Sequence, residues 1–102
     1  MTVKLVVLYT QPENPAAFDQ HYLGVHMPLV HKIPGLQRAE TGSFVAAADG
    51  GDQTYYRAAE LYFADNDALT AALGSDEGKA TAADYLQLAP PGSRMFIEAL
   101  DD

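Results

Sequence analysis

The histidines His21, His26 and His31 are the only three in the 102-residue chain, and all lie in one short segment. Imidazole donates or accepts a proton near neutral pH, so a histidine at the end of an apolar pocket is a candidate general acid or base. We predict this catalytic role for His26 and His21, and none for His31. The alternative for His26 is a structural one, in which the ring bonds a backbone carbonyl near Pro28.

The spacing of these histidines argues against a metal site. In a regular α-helix each residue turns by about 100°, which places His21 and His26 on opposite edges of the apolar stripe that contains Phe18. Metal ligands on one helix are usually three or four residues apart. The separation of five residues between His21 and His26 does not fit, and no acidic residue of the segment completes a ligand set. No metal site is predicted.

Tyrosine is enriched, with six residues, whereas tryptophan is absent. Four tyrosines from different predicted elements could converge between a sheet and its helices and bind a substrate: Tyr9, Tyr22, Tyr56 and Tyr62. The alternative for each is an ordinary core residue whose hydroxyl group is bonded at the rim of the core. Glu60 is a candidate base if it faces a pocket that desolvates it, and a surface residue if it faces solvent.

The composition excludes several classes of function. The chain has no cysteine, so it has no disulfides, thiolate metal sites or cysteine nucleophiles. Its formal net charge of −8 disfavours nucleic acid as a partner. No apolar run reaches the roughly 20 residues that span a bilayer, and the first residues do not resemble a signal peptide. We therefore expect a soluble cytoplasmic protein with no membrane partner and no cofactor of its own, in which any redox step would need a borrowed cofactor.

The elements that must position these side chains follow from apolar periodicity and turn signals. Strands are predicted at 3–10, 36–47, 55–64 and 95–100. One helix is predicted at about 15–31, after an Asn-Pro start signal, with a kink or an end at Pro28. A second helical region follows a cap at Asp65 or Asn66 and is interrupted at 74–75 before it resumes over 76–88. The order β-α-β-β-α-β predicts a single α+β domain, residues 1–102, with a ferredoxin-like antiparallel sheet of four strands.

The first strand carries apolar residues on both faces, with Val6 and Leu8 opposite Val3, Leu5 and Val7. Helices cover only one face of a ferredoxin-like sheet, so the second face needs another partner. Sheet-to-sheet pairing of two copies is the simplest solution. We therefore expect a homodimer that forms a dimeric α/β barrel.

The chain resembles the EthD family, named for the degradation of ethyl tert-butyl ether. The resemblance rests on three stretches: Leu8, Tyr9, Pro12, Pro15, Phe18, His21 and Tyr22; then His26-Met27-Pro28-Leu29-Val30 with Lys32-Ile33-Pro34-Gly35-Leu36; and Ser75-Asp76-Glu77-Gly78. It implies a dimeric α/β barrel, a role for His26 in a functional pocket, and a link to the breakdown of ethers and other small organic compounds.

Two functions remain open at this point. In the first, the protein belongs to small-molecule catabolism and binds a small apolar organic compound between sheet and helices, with acid or base chemistry by histidine. In the second, a non-catalytic protein binds or delivers a hydrophobic ligand or haem to a partner oxygenase. A third alternative is a dimeric scaffold with no cavity.

Overall fold

The computed structural model describes all 102 residues and has the predicted element order. Its elements are β1 (Val3–Thr10), α1 (Pro15–His21), a π-helical turn (Tyr22–His26), α2 (Met27–Val30), β2 (Arg38–Ser43), β3 (Tyr55–Phe63), α3 (Asn66–Gly74), α4 (Asp76–Leu88) and β4 (Arg94–Ala99). The four strands form one antiparallel sheet in the order β2-β3-β1-β4. The prediction of an α+β, ferredoxin-like fold is confirmed, although β2 is shorter than predicted.

Local signals start the helices where they were predicted. The Asn14 side chain accepts a hydrogen bond from the backbone of Ala17, and Pro15 occupies the first turn of α1. Asp65 caps α3 and Ser75 caps α4 in the same way. These side chains satisfy backbone amides that have no partner inside the helix, which fixes the start of each helix.

The first helical segment differs from a regular α-helix in its middle. The backbone amide of Met27 donates to the carbonyl of Tyr22, five residues earlier, which defines the π-helical turn. Pro28 follows this turn directly and has no amide to donate, so a regular ladder is interrupted there. The predicted apolar stripe is therefore wrong beyond Tyr22, because Val25 is 47% exposed whereas His26 is buried. The stripe predicted from their spacing consists of four residues: Phe18, Tyr22, Val25 and Leu29.

The core lies between the helices and one face of the sheet. The odd-numbered residues of β1, from Val3 to Tyr9, are all buried on this face. Their cross-strand partners in β3 include Ala59, Leu61 and Phe63, which are also buried. The period of two along the strands therefore sets which side chains face the helices.

The other face of the sheet carries no helix and is mixed in character. Val6 of β1 is paired with Phe96 of β4, and Phe96 is 42% exposed. Lys4, on the same face, contacts the carboxylates of Glu60 and Glu98 at 2.7 and 3.2 Å. The expected apolar patch is thus interleaved with ion pairs, and Glu60 lies on this face, half-buried and paired with Lys4, rather than between the sheet and the helices. None of the helices combines the length and the apolar character that a membrane-spanning segment needs.

Candidate functional site

A cavity of about 290 Å³ lies between the helix-facing side of the sheet and the helices. Of the 16 residues that line it, 13 are hydrophobic, so the cavity suits an apolar molecule. Leu73 of α3 and Met95 of β4 belong to its wall and are 42% and 43% exposed, which places its opening beside β4. The lining also contains His26, Tyr9 and Tyr85.

His26 has a defined orientation at this cavity. Its ring is buried, and Nδ1 lies 2.8 Å from Oδ2 of Asp84. A carboxylate can only accept a hydrogen bond, so Nδ1 of His26 carries the proton and donates to Asp84. In the neutral ring Nε2 then keeps its lone pair, which faces the hydroxyl group of Tyr9 at 3.4 Å. The imidazole thus presents a basic nitrogen on the cavity side.

The same carboxylate holds the second histidine. Nε2 of His21 lies 2.9 Å from Oδ1 of Asp84, so one side chain of α4 binds both rings. The expectation that His21 and His26 lie on opposite edges of a helix is therefore wrong. It assumed a regular helix, whereas the π-helical turn, with its hydrogen bond between residues five apart, is wider and brings the two positions to one side. No cluster of histidine and acidic side chains has the arrangement of a metal site.

Burial and charge set the protonation of this group. Burial lowers the pKa of His26 below its ordinary value of 6.5, against the opposing effect of its bond to Asp84, so the ring is neutral near pH 7. Burial alone would raise the pKa of Asp84, but the hydrogen bonds from His21 and His26 outweigh it and lower that pKa below 3.8. Asp84 is therefore charged and His26 is an unprotonated base.

The four tyrosines predicted for substrate binding separate into two pairs. Tyr9 and Tyr22 line the cavity. Tyr56 does not: it packs edge-on against Phe18, and its hydroxyl group donates to Asp19 at 2.7 Å. Tyr62 lies on the helix-free face, where its hydroxyl group donates to Glu40 at 2.8 Å.

The alternation of strand side chains explains why Tyr62 lies away from the cavity. Leu61, its neighbour in β3, faces the helices and lines the cavity. Adjacent residues of a strand point to opposite faces, so Tyr62 must face away. Convergence of all four tyrosines between sheet and helices is therefore not observed, and His21 likewise lies outside the cavity lining.

Sequence reasoning missed the contribution of α4 to this site. Asp84 and Tyr85 lie along the inner side of α4, which also buries Gly78 and Thr81. The available signal was an aspartate next to the stripe formed by residues 78, 81, 85 and 88, at spacings of three and four. An acidic residue at the edge of a buried stripe needs a partner, and the histidines of the first helical segment were the candidates.

Comparison with known proteins agrees with this fold. The model of the EthD domain matches residues 10–89. An uncharacterised 11.0 kDa protein from the thcB–thcC intergenic region of Rhodococcus erythropolis is 37% identical over 94 residues, which are 92% of this chain and 90% of that protein. The crystal structure of an EthD family protein from Bacillus halodurans is 38% identical, with a TM-score of 0.92 over 98% of this chain and 99% of the other.

A more distant structure shares the fold alone. It is a dimeric ferredoxin-like protein of unknown function from Thermobifida fusca, 17% identical with a TM-score of 0.74, which covers 98% of this chain and 92% of that one.

Proposed function

The chain belongs to the EthD family, and from this premise we propose that it binds a small apolar organic compound in the cavity and moves a proton on that compound through His26. One observation carries the proposal: Nδ1 of His26 is held by Asp84 while Nε2 faces a cavity with an apolar wall. A neutral, oriented imidazole is the arrangement that general acid–base catalysis requires.

The chemistry follows from the tautomer. Nε2 of His26 accepts a proton from an acidic C–H or O–H group of the ligand, which replaces its 3.4 Å contact with the hydroxyl group of Tyr9, and the charge of Asp84 stabilises the imidazolium that forms. His21 contacts both oxygens of Asp84, at 2.9 and 3.1 Å, and so fixes the direction of the carboxylate. His26 then returns the proton to another atom of the ligand. Isomerisation and cyclisation are reactions of this type, and they need only these side chains.

The cavity limits the size and charge of the ligand. A cavity of about 150 Å³ holds benzene, so a volume of about 290 Å³ accommodates a compound about twice that size. No lysine or arginine lines the wall. An anionic ligand would find no counter-charge there and would lie close to Asp84, so we propose a neutral ligand.

The alternative is a non-catalytic protein that stores or delivers the same kind of ligand. The size and apolar wall of the cavity support it as well as they support the enzyme. Haem fits this cavity poorly. At about 290 Å³, roughly twice the volume that holds benzene, the cavity is too small for the macrocycle of haem.

We place this activity in small-molecule catabolism, which the family resemblance implies, and we propose that the protein works as a homodimer. The mixed apolar and charged surface on the helix-free face of the sheet supports pairing between two copies. The ferredoxin-like protein from Thermobifida fusca is described as dimeric, which agrees with this arrangement.

The decisive experiment identifies the ligand first, by native mass spectrometry of protein purified from its host. The variant His26→Gln then separates the two functions. An enzyme keeps its affinity for the ligand within a few-fold and loses turnover by about 10²–10⁴, the usual contribution of a general acid or base. The control is His31→Gln, because His31 is exposed and outside the cavity, and it leaves both quantities unchanged.

Two results would contradict the catalytic proposal. Loss of affinity in His26→Gln, with no turnover even in the unmodified protein, assigns the cavity to binding and delivery. If the protein purified from its host carries no ligand, and no apolar probe binds in the cavity, both functions fail.

A further inference from the structure

Most hydroxyl groups around the cavity already have a protein partner. The Tyr9 hydroxyl faces Nε2 of His26, and the Tyr22 hydroxyl is bonded to a threonine at 2.8 Å. Thr81 donates to a backbone carbonyl of its own helix at 2.8 Å. Tyr85 also lines the cavity, but its hydroxyl group makes no hydrogen bond within the protein. The hydroxyl group of Tyr85 is therefore a hydrogen-bond donor in the cavity wall that has no partner within the protein.

Tyr85 stands near the basic end of the cavity. It follows Asp84 directly on α4, and Asp84 holds the ring of His26. Its own ring packs against Tyr9 with the centroids 5.7 Å apart, and Tyr9 in turn meets Nε2 of His26. Burial raises the pKa of Tyr85 above its ordinary value of 10.0, so the hydroxyl group stays a donor throughout the neutral range.

We infer that the hydroxyl group of Tyr85 donates a hydrogen bond to an oxygen atom of the ligand, which defines the ligand as a neutral compound with an apolar body and an oxygen function, such as a carbonyl, at one end. This inference rests on the proposed function of the cavity. A hydrogen bond from Tyr85 to a carbonyl oxygen of the ligand also stabilises the negative charge that develops on that oxygen when His26 removes a proton from the adjacent carbon. Tyr85 is thus both a specificity determinant and a catalytic residue of the proposed reaction.

Two probes of similar size test the inference: acetophenone, and cumene, which carries a methyl group and a hydrogen atom in place of the carbonyl oxygen. Dissociation constants are measured by NMR titration of the isotope-labelled protein. We expect Tyr85→Phe to weaken acetophenone binding by roughly 3- to 10-fold, the effect of losing one neutral hydrogen bond. The affinity for cumene should stay unchanged, because cumene has no acceptor.

The matched control is Tyr56→Phe, which also removes one hydroxyl group but lies outside the cavity lining. It should leave both dissociation constants unchanged. The inference is overturned if Tyr85→Phe weakens both probes equally or neither. If cumene and acetophenone both fail to shift the resonances of cavity residues in the unmodified protein, then the proposed binding function fails as well.

Discussion

Asp84 is the residue on which the proposed chemistry of the site depends. Because a carboxylate can only accept a hydrogen bond, Asp84 determines that Nδ1 of His26 carries the proton, and the same carboxylate also accepts from His21. A neutral histidine without this partner would be free to adopt either tautomer, and the basic nitrogen would then point into the cavity only part of the time. The reactivity of His26 is thus set by a residue 58 positions away in the sequence.

The acid stability of the protein should report on this group. The unfolded chain binds a proton at His26 near pH 6.5, whereas the folded ring has a lowered pKa and binds it only at lower pH. Stability is therefore fully present above about pH 6.5 and falls as the pH decreases towards the folded pKa. Asp84, with its pKa lowered below 3.8, adds a further loss under about pH 3.8. Urea unfolding between about pH 8 and pH 5 measures the first effect.

The variant His26→Gln tests the assignment, because it removes the titrating group. Its free energy of unfolding should vary less with pH than that of the unmodified protein in this interval. Equal pH profiles for the two proteins would show that His26 is not the buried titrating group.

At the level of elements, the junction between α3 and α4 tolerates no side chain at one position. A Cβ atom on Gly78 would lie 2.1 Å from the backbone oxygen of Ala72, and backbone cannot move aside cheaply. Gly78→Ala should therefore reduce the free energy of unfolding by about 2 kcal/mol or more, as overpacking does. Chemical denaturation measures this loss.

Gly24→Ala is the matched control, since Gly24 is also helical and a Cβ atom there meets nothing within 4 Å. Alanine has the higher helix propensity, so the control should be neutral or stabilised by up to about 1 kcal/mol. Similar losses in the two variants would contradict the steric explanation.

The sequence predicted the elements well because their signals are local. Asn14, Pro15 and Asp65 act on the next few residues, and the alternation in β1 is visible within eight positions. The π-helical turn has no comparable local signal, because Pro28 predicts a kink or an end but not the hydrogen bond between residues five apart that precedes it. The regular register assumed at this turn therefore placed His26 on the opposite edge of the stripe from His21, whereas both rings bond Asp84.

The partners of side chains were the least predictable part of the candidate site. The cavity-facing position of Tyr9 followed from its place in β1, and that of Tyr22 from the start of the apolar stripe. The contact between His26 and Asp84 could not be inferred, because it depends on how α4 packs against the π-helical turn. The same holds for Tyr62, whose partner on the helix-free face comes from β2.

At the scale of the whole molecule, the mixed face of the sheet makes a specific prediction about assembly. Phe96 lies on this face between the apolar Val6 and charged neighbours. If two copies pair through it, Phe96→Asp places an unpaired charge in the interface, which costs several kcal/mol. Light scattering at micromolar concentration should then show a dimer for the unmodified protein and a monomer for the variant.

Leu23→Asp provides the control for assembly. Leu23 is 53% exposed on the helical side of the molecule, so the same substitution there should leave the dimer intact. A monomeric unmodified protein, or a Phe96→Asp variant that stays dimeric, would contradict pairing through this face.

The aromatic residues of the cavity wall have a practical consequence. The chain contains no tryptophan, so its near-ultraviolet emission comes from six tyrosines, and three of them, Tyr9, Tyr22 and Tyr85, line the cavity. A compound that enters must change the surroundings of half of the fluorophores. Occupancy should therefore be visible in the intrinsic fluorescence of the unlabelled protein, which makes a library of candidate compounds practical to screen.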